Sequence, residues 1–169
     1  MSAIVLLAGS PSTPSRSTAV LRTARDLAGV ERSTLLELRE LSADSLLFGR
    51  ATDALARAHA LVAEARAIVL ATPVYKAAYS GLLKTFLDYL PDGALRGKSA
   101  YPIATGGSNA HLLSVDYALK PVLSVLGAGR ILEGLYLTNE AIELRDDGTA
   151  ALGAEHHERL KAGMQALLG

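Results

Sequence analysis

The sequence predicts an α/β fold: a doubly wound, five-stranded parallel sheet of order 2-1-3-4-5, with helices on both faces, in a single domain over residues 1–169. Three observations predict it. Continuous apolar runs, "AIVLLA" at residues 3–8 and "AIVLAT" at residues 67–72, read as strands buried on both faces of a parallel sheet. Apolar residues at helical spacing follow these runs, and an alternation of strand and helix builds right-handed crossovers. The third is size: 169 residues, half of them hydrophobic and a fifth charged, suit one substantial core better than two.

The elements follow in order. After the first strand stops at Gly9, Val20, Ala24, Leu27 and Ala28 mark one face of a helix. "STLLELR", from Ser33, is the second strand, and a helix over residues 52–66 carries Leu55, Ala58, Val62 and Ala65 on one face. The third strand, residues 67–72, leads through a polar loop into "SGLLKTFLDYL", a helix that Pro91 ends because its ring cannot continue one. A fourth strand over residues 99–104 passes through "TGGSN" to a helix over residues 112–126. "RILEGLYLT" is the fifth strand, and Leu160, Met164, Leu167 and Leu168 mark the last helix. Residues 139–153 form an excursion in which "RDDGT" reads as a hairpin-type turn.

Composition excludes several functions. Lys plus Arg and Asp plus Glu both total 17, so no general basic field draws in nucleic acid or anionic lipid, and any anion is bound locally. With no cysteine there is no disulfide, Cys-ligated zinc, iron–sulfur site or thiol nucleophile. The N-terminus lacks a basic signal-peptide region, and no apolar run reaches the roughly 18 residues of a membrane span, so a cytoplasmic protein is the expectation. His59, His156 and His157 lie in helical patterns without metal-ligand spacing and read as solvated, so no metal is expected. No G-x-S-x-G elbow is present, which argues against a hydrolase built on this architecture.

Ligands of such sheets bind at the carboxyl ends of the strands, where the strand order reverses. Three polar loops occupy those ends: "GSPSTPSRST", "TPVYKAAYSG" and "TGGSNAH". The first offers six hydroxyls and the guanidinium of Arg16 at a helix start, where free N–H groups and the positive dipole end favour an anion. It has neither the Walker spacing with its lysine nor a G-x-G-x-x-G turn, and its donors suit a terminal phosphate monoester without magnesium. Ser15 or Ser17 equally reads as a simple helix cap, and position at the reversal point favours phosphate. In the second loop Pro73, Tyr75, Lys76 and Tyr79 could flank a flat aromatic ligand, or the tyrosines could be ordinary amphipathic surface. Gly106 and Gly107 permit close backbone approach or only a tight turn. His111 reads as a helix-start or pocket-rim residue.

Together the stretches "LAGSPSTPSRS", "ATPVYKAAYSGLLKTFLDYLP" and "ATGGSNAHLLSVDYALKPVLSVL" resemble the NADPH-dependent FMN reductases of the flavodoxin-like superfamily. The likeness is strongest to the reductase component of two-component alkanesulfonate monooxygenase systems. It implies that Ser10, Ser15, Arg16, Ser17 and Thr18 hold the FMN phosphate. Pro73, Val74, Tyr75 and Lys76, with Thr105, Gly106, Gly107, Ser108 and the rim residue His111, would then flank the isoalloxazine. NADPH would pass a hydride to flavin N5, so no catalytic acid or base is required. In "VDYALKPVL" the resemblance places Tyr117 at an inserted π-bulge by the subunit interface, a feature associated with FMN that behaves as a released substrate. It further implies a homodimer or homotetramer and a partner flavin-dependent monooxygenase that receives reduced FMN in alkanesulfonate or other organosulfur assimilation. Two other readings keep the fold: an FMN-retaining reductase of quinones, azo dyes or chromate, and a flavodoxin-type electron carrier. The neutral charge and the "TGGSN" loop favour the reductase over the carrier. Ser12 departs from the resemblance, since relatives often carry arginine there, and the region after Thr138 matches poorly.

Overall fold

The structure, a computed structural model, describes residues 4–29 and 33–169, so the expected strand start at Ala3 lies outside the described residues. In chain order the elements begin with β1 (Ile4–Ala8), α1 (Arg16–Ala28), β2 (Ser33–Glu37), α2 (Ala43–Phe48) and α3 (Asp53–Glu64). β3 (Ala67–Tyr75), β4 (Ala78–Tyr79), α4 (Gly81–Asp88) and β5 (Ser99–Gly106) follow. A π-helix (Val115–Leu119) runs into α5 (Lys120–Val125), and β6 (Arg130–Ile131), β7 (Leu135–Thr138), β8 (Ile142–Leu144), β9 (Ala150–Leu152) and α6 (Ala154–Leu168) complete the chain.

β1 is buried along its whole length, and its alternate residues serve opposite cores because successive side chains leave a strand on opposite faces. Ile4, Leu6 and Ala8 pack with Val20 and Leu21 of α1 and with Leu160 and Met164 of α6. Val5 and Leu7 pack on the other side with Val62 of α3, Phe86 of α4 and Leu123 of α5. β3 divides in the same way, with Val69 on the first side and Ile68 and Leu70 on the second. Two helical layers thus enclose one sheet. No helix among the described residues is long and apolar enough to cross a membrane.

Several expectations are corrected. Among the described residues the sheet has seven strands rather than five, along the path β2-β1-β3-β5-β6, with β7 also on β5 and β4 on β3. The run "RILEGLYLT" is two strands, because Gly134, at φ +95°, takes the chain out of extended geometry between β6, which pairs the start of β5, and β7, which pairs its end. The third strand continues past Thr72 to Tyr75 and turns back as β4, antiparallel to it.

The helix expected over residues 112–126 is not one α-helix. It consists of a 3₁₀ turn (Asn109–His111), the π-helix and then α5. Pro121, at the start of α5, has no N–H to bond the carbonyl of Tyr117 four residues earlier, so that bond of a continuous α-helix is absent. The "RDDGT" stretch closes the β8–β9 hairpin, which Thr23 of α1 ties down by accepting from the Ala150 N–H at 3.0 Å.

Candidate functional site

β1, β3 and β5 lie side by side, and their register levels their carboxyl ends: Ala8 is opposite Ala71, and Pro73 opposite Thr105. The three polar loops therefore leave the sheet next to one another. The strand order also turns here, since β1 leads outward to β2 on one side while β3 and β5 lie on the other.

The first loop is organised by its hydroxyls. The Gly9 N–H donates to the Ala71 carbonyl at 2.8 Å, and Ser10 Oγ accepts from the Ser12 N–H at 3.2 Å. Ser15 caps α1, accepting from the Thr18 N–H at 3.2 Å, and lies 3.1 Å from Ser17 Oγ. The Ala19 N–H bonds the Ser15 carbonyl, so the first-turn N–H groups of Arg16 and Ser17 remain for an outside acceptor. Arg16 itself is exposed at the first position of α1. Capping, one of the two readings of the sequence, falls to Ser15 and leaves the Arg16 side chain exposed beside it.

The second loop is a hairpin whose central residues, Lys76 and Ala77, have φ of 50° and 63°, as a two-residue type I′ turn demands. Neither is glycine, and left-handed backbone costs an L-residue roughly 1–2 kcal/mol. Its base is fastened by two buried hydroxyls. Thr72 Oγ1 accepts from the Ser80 N–H at 2.9 Å, while Ser80 Oγ donates to the Gly9 carbonyl and accepts from the Leu83 N–H at 3.1 Å. Ser80 thus caps α4 and binds the second loop to the first.

In the third loop a Cβ on Gly106 would run into Tyr136 Oη, so a larger residue there requires the phenol to shift. Tyr136 donates to the Ser108 carbonyl at 2.5 Å, and burial pushes its phenol pKa up. That bond holds the backbone that forms the loop's wall.

These loops enclose an open cleft of about 260 Å³. Ser10, Ser15, Arg16 and Ser17 line one end, and Pro73, Val74 and Tyr75 with Thr105, Gly106 and Gly107 line the other. Thr18, Lys76, Ser108 and His111 do not reach the lining. Thr18 faces a neighbouring cleft, Lys76 stands at the hairpin tip, and Ser108 and His111 belong to the turn beyond Gly107. Tyr117 lies in the π-helix, 79% exposed. Sequence reasoning missed Asn139, which follows β7 at the same edge of the sheet; its place after "LYLT" was the available signal.

Chemically the cleft is a binder. One end presents hydroxyls, helix N–H groups and a guanidinium to an anion, and the other presents Tyr75, Pro73 and bare glycine backbone to a flat group. Among the described residues its lining holds no histidine, carboxylate or lysine.

A family model described as NADPH-dependent FMN reductase matches residues 2–143. "FMN reductase (NADPH)" of Escherichia coli (strain K12) is 47% identical over 142 residues, covering 82% of this chain and 74% of that one. The protein of the same description from Pseudomonas putida is 46% identical over 143 residues, covering 82% and 72%. Among solved structures, the apo form of an NADH:FMN oxidoreductase (EmoB) superposes with a TM-score of 0.86 at 34% identity, covering 97% of this chain and 87% of that one. The architecture is accordingly flavodoxin-like. The chain belongs to the NADPH-dependent FMN reductase family, oxidoreductases that use NADPH and FMN.

Proposed function

We propose that the chain reduces FMN as a diffusible substrate and supplies it to a separate flavin-dependent monooxygenase, in alkanesulfonate or other organosulfur assimilation. The observation that carries this reading is the π-helix at Val115–Leu119, with Tyr117 at its middle and 79% exposed, in a stretch similar to the alkanesulfonate-type reductases. The π-helix packs beside β4, and therefore beside the hairpin that forms one wall of the cleft. Tyr117, Leu112, Leu113 and Val125 give this part of the surface an exposed apolar character, which supports completion of the site by a second copy of the chain.

The donor set fits FMN. Hydroxyls of Ser10, Ser15 and Ser17, with Arg16 and the first N–H groups of α1, would hold the phosphate. Residues 73–75 and 105–107 would flank the ring. Bound there, FMN supplies the chemistry by accepting a hydride from NADPH. This chain's part is to orient the ring, leave one face open to the nucleotide and hold the phosphate loosely enough for release. The phosphate loop's single guanidinium, Arg16, supports weak retention.

The test is to purify the protein, inspect it for yellow colour, and follow NADPH oxidation with and without added FMN. Colourless protein that depends on micromolar FMN is the expected result. A yellow protein that turns over a quinone without added flavin would overturn the reading.

A further inference from the structure

A second cleft, of about 150 Å³, lies on the other side of the phosphate loop and shares Ser12, Pro14 and Ser15 with the first. Three arginines from three separate elements face it: Arg22 of α1, Arg39 just after β2, and Arg145 of the β8–β9 turn. Among the described residues the only carboxylate in its lining is Glu37, whose side chain is 11% exposed.

Glu37 is already taken. Arg22 Nη2 lies 2.5 Å from Oε1, and Arg39 donates from Nε at 2.9 Å and pairs from Nη2 at 2.7 Å, both to Oε2. One carboxylate between two guanidiniums leaves a net positive charge, and each guanidinium keeps further N–H donors, since each carries five. Arg22 spends one of them, at 3.4 Å, on the Gly148 carbonyl. Arg145 forms no salt bridge among the described residues; its field reaches Asp147 on its own turn, whose pKa is lowered chiefly by hydrogen bonds from Thr149. Neither Asp146 nor Asp147 lines the cleft. Hydroxyls of Ser12, Thr13 and Ser15 complete a donor set for a dianion.

An acidic residue at the end of the second parallel strand is where dinucleotide folds recognise a ribose 2′-hydroxyl, and a nearby arginine is what accommodates a 2′-phosphate instead. Glu37 ends β2, and Arg22 and Arg39 cancel the charge that would repel a phosphate there. We propose that this cleft is the subsite for the 2′-phosphate of NADPH, with Arg39 and Arg145 as its specificity-determining residues and Glu37 as the group that positions Arg22 and Arg39. The inference rests on the FMN reductase reading, because only a nucleotide whose nicotinamide reaches the first cleft would bring its 2′-phosphate past the shared loop.

The test has two parts. First, binding of 2′,5′-ADP and of 5′-ADP to the wild-type protein is measured by calorimetry without flavin or turnover. Second, kcat/KM for NADPH and for NADH is measured for wild type, Arg39→Gln and Arg145→Ala. The expected results are at least tenfold tighter binding of 2′,5′-ADP than of 5′-ADP, and a fall of about tenfold in the NADPH-to-NADH ratio in each variant, the size of one charge-assisted contact. Equal binding of the two probes, or a ratio within twofold of wild type in both variants, would overturn it. A protein that oxidises neither nucleotide with FMN would instead sink the reductase reading, and the calorimetry stands apart from that outcome and from any folding defect of a variant.

Discussion

Ser15 and Arg16, neighbours in sequence, divide the work at the start of α1: one caps the helix and the other offers charge. Arg16→Ala removes the only cation of the phosphate loop without touching the cap. It is expected to raise the FMN dissociation constant about tenfold or more, the worth of a hydrogen bond to a charged group, with the melting temperature unchanged. Flavin fluorescence quenching and circular dichroism check the two halves. Gly106→Ala drives a methyl against Tyr136 and breaks its bond to Ser108; overpacking of this kind costs about 1–3 kcal/mol, read as a lower denaturant midpoint and weaker FMN binding together. At this scale the sequence disclosed the hydroxyl-rich loop and its lone guanidinium, because composition alone marks them. It did not disclose Asn139 or the bond from Tyr136, whose partners lie far away along the chain.

The elements that shape the cleft are the less regular ones. The β3–β4 hairpin places two non-glycine residues at positive φ, and its pairing with the Thr72 and Ser80 bonds holds them there. Ala77→Gly should relieve one of the two and raise stability by about 0.5–1 kcal/mol after glycine's own entropy cost, measured by urea denaturation. Deleting Tyr117 removes one residue from the π-helix and should restore α-helical register ahead of Pro121. The expected result is protein that co-purifies with FMN and releases it more slowly, observed by absorbance at purification and by stopped-flow dissociation. Long elements were legible: β1, α1, α3 and α6 show clear periodicity and are buried as that periodicity requires. The short ones were not. α2 is only six residues between Ser42 and Gly49 and β4 only two, and the π-helix carries no pattern of its own, so that only the resemblance at "VDYALKPVL" pointed to it.

At the scale of the whole molecule, tertiary burial alters the ionisation of the tyrosines that pack against the sheet. Burial pushes Tyr101 up to about 12, and raises Tyr79 and Tyr136 as well. A raised folded-state pKa means that below pH 10 both states hold the proton and nothing is lost. Above pH 10 the unfolded chain releases it first, so stability falls until the folded state also ionises near pH 12. Denaturation midpoints from pH 8 to 11.5 should be flat to about pH 10 and then decline, and Tyr101→Phe should blunt the decline. The layered α/β architecture was legible because a strand buried on both faces leaves a mark that alternation cannot hide. The sheet's seventh and sixth strands were not, because a single glycine splits one run and a backbone reversal adds another. Convergence of the three loops followed from topology, once their strands were adjacent.

The central claim is that this convergent cleft binds FMN, serves its reduction by NADPH and then lets it go. Anaerobic turnover of NADPH with stoichiometric FMN, followed by rapid ultrafiltration, tests it most directly. The account predicts that reduced FMN passes into the filtrate in proportion to NADPH consumed. Reduced flavin retained with the protein, or NADPH consumption indifferent to added FMN, would contradict it.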